Sequence, residues 1–191
     1  LIGKLTINPG DGVVLETPSY LGAIQAFSAY GPRFLTVPLP ENGIDTDALR
    51  TVCEEDKNVK LLYCIPNFQN PTGISYTDAT RRSVAGIVGR HPMLVVEDDP
   101  YGEIRFMGEH LPPIKKYLPE QTLLLGSFSK IIAPGLRMGW IVAPQYIIEK
   151  LVVLKQAADL HSNFLSQRII YQFLQDNSID DHIVTIRNLY R

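Results

Sequence analysis

Lys130 stands just past an apolar run in "TLLLGSFSK", with the hydroxyls of Ser127 and Ser129 before it and Arg137 seven positions after it. Burying an ammonium is costly and a surface loop accepts one freely, so this placement calls for a chemical partner. Two more polar groups follow apolar runs in the same way: Asn70, after "LLYCIP" in "NFQNPTG", and Asp98, beside Asp99, at the end of "LVVEDD". Gathered in one place, an amine, a carboxylate, an amide, hydroxyls and a guanidinium suit a ligand with three handles. These are an aldehyde to condense with the amine, a ring nitrogen for the acid to keep protonated, and a phosphate to anchor. Pyridoxal phosphate has all three, and a lysine Schiff base with an acidic partner at the pyridinium nitrogen is its recurring protein environment. Desolvation and nearby positive charge in such a site loosen the amine's hold on its proton and make it a nucleophile.

Whether these residues meet depends on the elements that carry them. Short apolar, β-branched runs at 12–16, 33–38, 59–65, 93–98, 122–127 and 138–143 read as strands. Between them "YLGAIQAFSAYG", "DTDALRTVCEED" and "TDATRRSVAGIVGR" have helical apolar spacing, two of them with Asp/Thr starts. Strands apolar on both faces, alternating with helices, predict an α/β fold: a mostly parallel sheet covered by helices. In such a sheet the carboxyl ends of all parallel strands lie along one edge, where ligands bind, so Asn70, Asp98, Ser127, Ser129 and Lys130 are expected to converge. Only about ten residues, "FSKIIAPGLR", separate the last two strands, at the lower limit for a parallel crossover, so the final strand is expected to run antiparallel. From Gln145 to about Gln175 the pattern is helical, and "IDDHIVTIRNLYR" starts a further helix.

The chain has 191 residues, 45% of them hydrophobic and 20% charged, with a formal net charge of −2. Neither a basic excess for nucleic acid nor an acidic tail is present, and no apolar stretch approaches the roughly 20 residues of a membrane helix. Cys53 and Cys64 are too few for a disulfide framework, which fits a reducing cytoplasm. His91, His110, His161 and His182 are scattered without ligand spacing, so no metal site is expected. "LIGKLTINPGDG" reads as the end of a helix entering a turn, so the sequence is expected to be part of something longer.

"PNFQNPTG", "VVEDDPYGEIRF" and "GSFSKIIAPGLRMGW", in this order and spacing, resemble the fold type I pyridoxal-phosphate aminotransferases, in particular the branch of 2-aminoadipate and kynurenine aminotransferases. The resemblance runs over nearly the whole chain. It implies that Lys130 bonds the cofactor and shuttles the substrate proton, and that Asp98, three before Tyr101, pairs with the pyridinium nitrogen. It further implies that Tyr101 and Asn70 hydrogen-bond the ring's phenolic oxygen, with Asn70 also near the substrate, and that Ser127, Ser129 and Arg137 hold the phosphate. Tyr20, in "ETPSY", would stack on the ring. Residues 1–175 would then be part of the large, cofactor-binding domain and 176–191 the start of the connection to a C-terminal small domain. The small domain would supply the arginine that grips the substrate carboxylate, Arg187 and Arg191 lying too early for that role. A homodimer would complete the site, an L-amino acid and a 2-oxo acid such as 2-oxoglutarate would be the substrates, and no nucleic acid or membrane would bind this part.

Two other readings share these cofactor residues. One is the aminotransferase-like effector domain of a MocR-type transcription regulator, although "DDPYGEIRF" resembles the transaminase branch more than the regulators. The other is a different pyridoxal-phosphate enzyme such as a lyase. Ser127 to Lys130 also spells S-x-x-K of the penicillin-recognising enzymes, but no S-D-N or K-T-G accompanies it.

Overall fold

The computed structural model describes all 191 residues. A short helix α1 (Ile2–Thr6) leads into β1 (Gly12–Thr17), α2 (Leu21–Ser28), β2 (Arg33–Pro38), α3 (Thr46–Glu55), β3 (Val59–Cys64), α4 (Asp78–Val88) and β4 (Leu94–Asp98). Then follow α5 (Ile114–Tyr117), β5 (Thr122–Ser127), α6 (Phe128–Ile131), β6 (Gly139–Val142), α7 (Gln145–Asp159), α8 (Phe164–Asp176) and α9 (Ile179–Tyr190). The six strands form one sheet in the order β2-β1-β3-β4-β5-β6. All neighbours are parallel except β5 and β6, which run antiparallel as the short connection requires.

The sheet is covered on both sides because its strands are apolar on both. Val14, Leu62, Cys64 and Val95 face α3, α4 and α5, whereas Val13, Leu15, Leu61, Tyr63, Val96 and Leu123 face α1, α2 and α7. Successive strand residues point to opposite faces, so this two-sided split follows directly from the pleat. The helix starts sit where short polar side chains can take the first free N–H groups. The Asp45 carboxylate accepts from the N–H groups of Asp47 and Ala48, both at 3.0 Å, and the Thr77 hydroxyl accepts from that of Thr80 at 3.1 Å. The helical stretch expected from Gln145 forms α7 and α8, divided at Leu160, which stands at φ 65°, with Asn163 capping the second helix. β2, with Pro38 at its end, forms one sheet edge, where a missing N–H is harmless.

No helix is long and apolar enough to cross a membrane. Cys53 and Cys64 are free and buried.

Candidate active site

Four parallel strands deliver their carboxyl ends to one edge, and the polar residues there surround a single cavity of about 400 Å³. Tyr20 reaches it from the turn after β1, Asn70 from the loop after β3, Asp98 from the last residue of β4, and Tyr101 from the turn that follows. Ser127 ends β5, Ser129 and Lys130 lie on α6 immediately after it, and Arg137 stands at the entry to β6. Every side chain expected at the site therefore lines the same space. The Lys130 Nζ sits 5.7 Å from the centre of the Tyr101 ring. The Ser127 hydroxyl accepts from the Ser129 N–H at 3.1 Å, which starts α6 and sets the position of Lys130 one residue on. Arg137 adopts a left-handed conformation, φ 53° and ψ 39°, which costs a non-glycine residue roughly 1 kcal/mol and turns the chain back into β6. Lys130, Arg137 and Tyr20 are exposed, so these residues alone do not give Lys130 the desolvation expected of an activated amine.

The acidic run "EDD" is sorted by the strand pleat into three environments. Glu97 is fully buried on the α5 side, where it accepts from the N–H groups of Ile114 at 2.9 Å and Lys115 at 3.0 Å. Asp98 points to the opposite face and into the cavity, with its Oδ2 accepting from the Tyr63 hydroxyl at 2.7 Å. Asp99 turns the chain: its carboxylate accepts from the Gly102 N–H at 2.8 Å and from the Asn67 side-chain amide at 2.9 Å. Burial pushes the Asp98 carboxyl above the usual carboxylate range, the Tyr63 hydrogen bond pulls it back, and the neighbouring Asp99 charge adds to the rise.

Beneath the cavity lie residues that the motifs did not reveal. Arg81, with no exposed surface, donates from Nη2 to Asn67 Oδ1 at 2.7 Å and to the Pro66 carbonyl at 2.9 Å, and from Nη1 to the Pro112 carbonyl at 3.2 Å. Arg105 Nη2 reaches the same Asn67 oxygen at 3.1 Å, and its guanidinium lies over the Phe68 ring at 4.4 Å. The chain Arg81–Asn67–Asp99–Gly102 thus ties the loop bearing Asn70 to the turn bearing Tyr101. A second brace runs from Glu16, which accepts from Tyr76 Oη at 2.6 Å, the Ile65 N–H at 3.2 Å and Gln69 Nε2 at 3.0 Å. Gln69 Nε2 also donates to the Pro18 carbonyl at 2.8 Å, while its Oε1 accepts from Thr72, so it links the turn bearing Tyr20 to the Asn70 loop. No motif marks Tyr63; the β3–β4 register pairs it with Val96, and Asp98, two residues on, shares that face.

The donor set fits pyridoxal phosphate. Tyr63 occupies one Asp98 oxygen and leaves the carboxylate able to accept a second proton donor from the cavity. Ser127, Ser129 and Arg137 supply hydroxyls and a forked cation suited to a phosphate, and Lys130 supplies the amine. No group of three or more His, Cys, Asp or Glu side chains is arranged to hold a metal ion.

A family model described as aminotransferase class I and II matches residues 1–186. Aromatic-amino-acid aminotransferase 1 of Thermococcus litoralis is 42% identical over 196 residues, taking in 100% of this chain and 47% of that protein. The crystal structure of Pyrococcus horikoshii kynurenine aminotransferase, in complex with PMP and with kynurenine as substrate, superposes with a TM-score of 0.94. It shares 38% identity over 99% of this chain and 48% of that one. The HTH-type transcriptional regulator NorG of Staphylococcus aureus is 37% identical over 177 residues, 92% of this chain and 39% of the regulator. The chain spans about half the length, or less, of these proteins.

Proposed function

The chain belongs to the aminotransferase class I and II family, and from that premise we propose that it forms most of the cofactor site of a pyridoxal-phosphate-dependent aminotransferase. The observation that carries the proposal is the single cavity lined by Lys130, Asp98, Tyr101, Asn70, the two serines, Arg137 and Tyr20. When bound, pyridoxal phosphate supplies an aldehyde for the amine and a protonated ring that draws electrons away from the substrate's α-carbon. Asp98 would hold the ring-nitrogen proton as a charged acceptor, Tyr101 and Asn70 would serve the ring's phenolic oxygen as donors, and Tyr20 would supply an aromatic face for the ring. Ser127, Ser129 and Arg137 bind the phosphate. Lys130 would hold the cofactor at its aldehyde carbon and, with its amine free once substrate is bound, would move the proton of the substrate's α-carbon as a general base. Asn70 also orients the substrate.

The substrates proposed are an L-amino acid, aromatic, 2-aminoadipate or of broad range, and a 2-oxo acid such as 2-oxoglutarate, handled in two half-reactions with ping-pong kinetics. Residues 1–175 are proposed as the cofactor domain's share and 176–191 as the lead into a second domain. A homodimer in the cytoplasm accords with the exposed Lys130, Tyr20 and Arg137, which leave a side of the site for a second copy to cover, and with two unpaired cysteines. Light scattering on the full-length protein checks the dimer, and a monomer at assay concentrations refutes it.

The test of the main reading is reduction of the full-length, cofactor-loaded protein with borohydride followed by peptide mapping. Label on Lys130 is expected, and label elsewhere or none refutes the proposal. The likeness to NorG favours a second reading, an effector domain fused to a DNA-binding domain. Rapid transamination by the full-length protein with no DNA affinity decides against it.

A further inference from the structure

Tyr63 is 2% exposed, projects from β3 on the Asp98 face of the sheet, and donates its hydroxyl proton to Asp98 Oδ2 at 2.7 Å. Its ring meets Phe27 edge-on, with centroids 5.8 Å apart and planes at 73°, so the hydroxyl cannot swing away without disturbing that contact. We infer that Tyr63 is a positioning residue that fixes the Asp98 carboxylate for the ring nitrogen of the cofactor. The inference rests on the reading that Asp98 faces that nitrogen.

The physical reasoning starts from the cost of a carboxylate among apolar neighbours. Asp98 shares its face of β4 with Val96, two residues before it, and sits beside Leu125, its register partner on β5. A carboxylate there needs a donor to remain ionised, and the charged groups around it are unevenly helpful. Asp99 and the buried Glu16 are like charges; Lys130 and Arg137 lie across the cavity on α6 and beyond it; Tyr20 and Tyr101 line the rim. Among side chains of the protein, only Tyr63 is hydrogen-bonded to Asp98. Burial and the adjacent acids push the Tyr63 phenol far above its ordinary range, so it remains a donor at every pH the fold tolerates. With one Asp98 oxygen pinned, the carboxylate cannot rotate about its last bond, and the other oxygen keeps a fixed aim.

Pyridoxal phosphate and its 1-deaza analogue, which carries a carbon where the ring nitrogen stands, separate positioning of Asp98 from general structural damage. Affinity of the apo form of the full-length protein for each is measured by fluorescence titration, in the wild type and in Tyr63→Phe, which removes one oxygen and keeps the ring against Phe27. The variant is expected to bind pyridoxal phosphate about tenfold more weakly, the scale of losing a hydrogen bond to a charged group, and the analogue within about twofold of wild type. In an Asp98→Asn background the same change should alter neither affinity by more than about twofold. Equal weakening towards both compounds, or no weakening towards either, overturns the role of Tyr63. If the wild type itself fails to prefer pyridoxal phosphate over the analogue, the pairing of Asp98 with the ring nitrogen falls, and the inference with it.

Discussion

Glu16→Gln offers a sharp test of how the fold holds a buried acid. Glu16 is 1% exposed, and burial pushes its carboxyl up to about 7 from an ordinary 4.5, against the opposing pull of hydrogen bonds from Tyr76, Gln69 and Ile65. The folded protein therefore keeps this proton to higher pH than the unfolded chain does. Stability from the group is complete below pH 4.5 and is lost as pH rises through about 7. At 1.36 kcal/mol per pH unit, that interval amounts to roughly 3 kcal/mol. Glutamine cannot ionise and escapes this loss, but its NH₂, unlike the hydroxyl of the protonated acid, has no lone pair to offer a site built from donors. If its oxygen keeps Tyr76 and Ile65, its NH₂ confronts Gln69 Nε2, which cannot flip because Gln69 Oε1 already accepts from Thr72 at 3.0 and 2.8 Å. A broken buried contact of this kind costs about 1–3 kcal/mol. Urea unfolding followed by far-UV circular dichroism should therefore find the variant less stable than wild type at pH 5, with the gap closing or reversing by pH 8. A gap that stays constant across that range would refute the reasoning, since it would mean that Glu16 carries no raised proton affinity in the fold.

Gly126 pairs with Trp140 across β5 and β6, and a Cβ there would run into the indole, so Gly126→Ala should destabilise by about 1–3 kcal/mol and red-shift the emission of the lone tryptophan. An unshifted spectrum and unchanged Tm would show that the indole does not lie on that glycine. Arg81→Met strands the carbonyls of Pro66 and Pro112 and leaves buried Glu97 without its nearby cation; a loss of about 3–5 kcal/mol is expected in denaturant titration. Arg82→Met, one residue on and exposed in an ion pair with Asp78, should cost under about 1 kcal/mol in the same assay. Asp99→Ala frees the turn after β4, and amide exchange at Gly102 should quicken as its acceptor is lost, with a stability change of about 1–3 kcal/mol.

Much of the fold was legible because its signals are local. β-branched apolar runs marked all six strands, Asp45 and Thr77 announced the starts of α3 and α4, and a ten-residue connection gave away the antiparallel last strand. The convergence of the candidate site was legible too, since Lys130, Asp98, Asn70 and the serines follow strands whose carboxyl ends share an edge. The supports were not. Tyr63, Glu16 and Gln69 carry no motif, and their contacts span 35, 49, 51, 53 and 60 residues of sequence, which only the register of neighbouring strands and loops can close.

Residue order alone established the kinds of chemical group available, the alternation of strand and helix, and the parallel frame that brings polar groups to one rim. It could not tell apart neighbours of the same type. Arg81 and Arg82 are written alike, yet one is sealed beneath the cavity and the other lies in water, because a helix turns about 100° per residue and only one of them can face Asn67. Glu97, Asp98 and Asp99 likewise receive a helix cap, a place in the site and a turn from the pleat and from the donors that happen to face each one. Burial of a charge is tolerable only where partners converge, and that convergence is a property of the assembled fold.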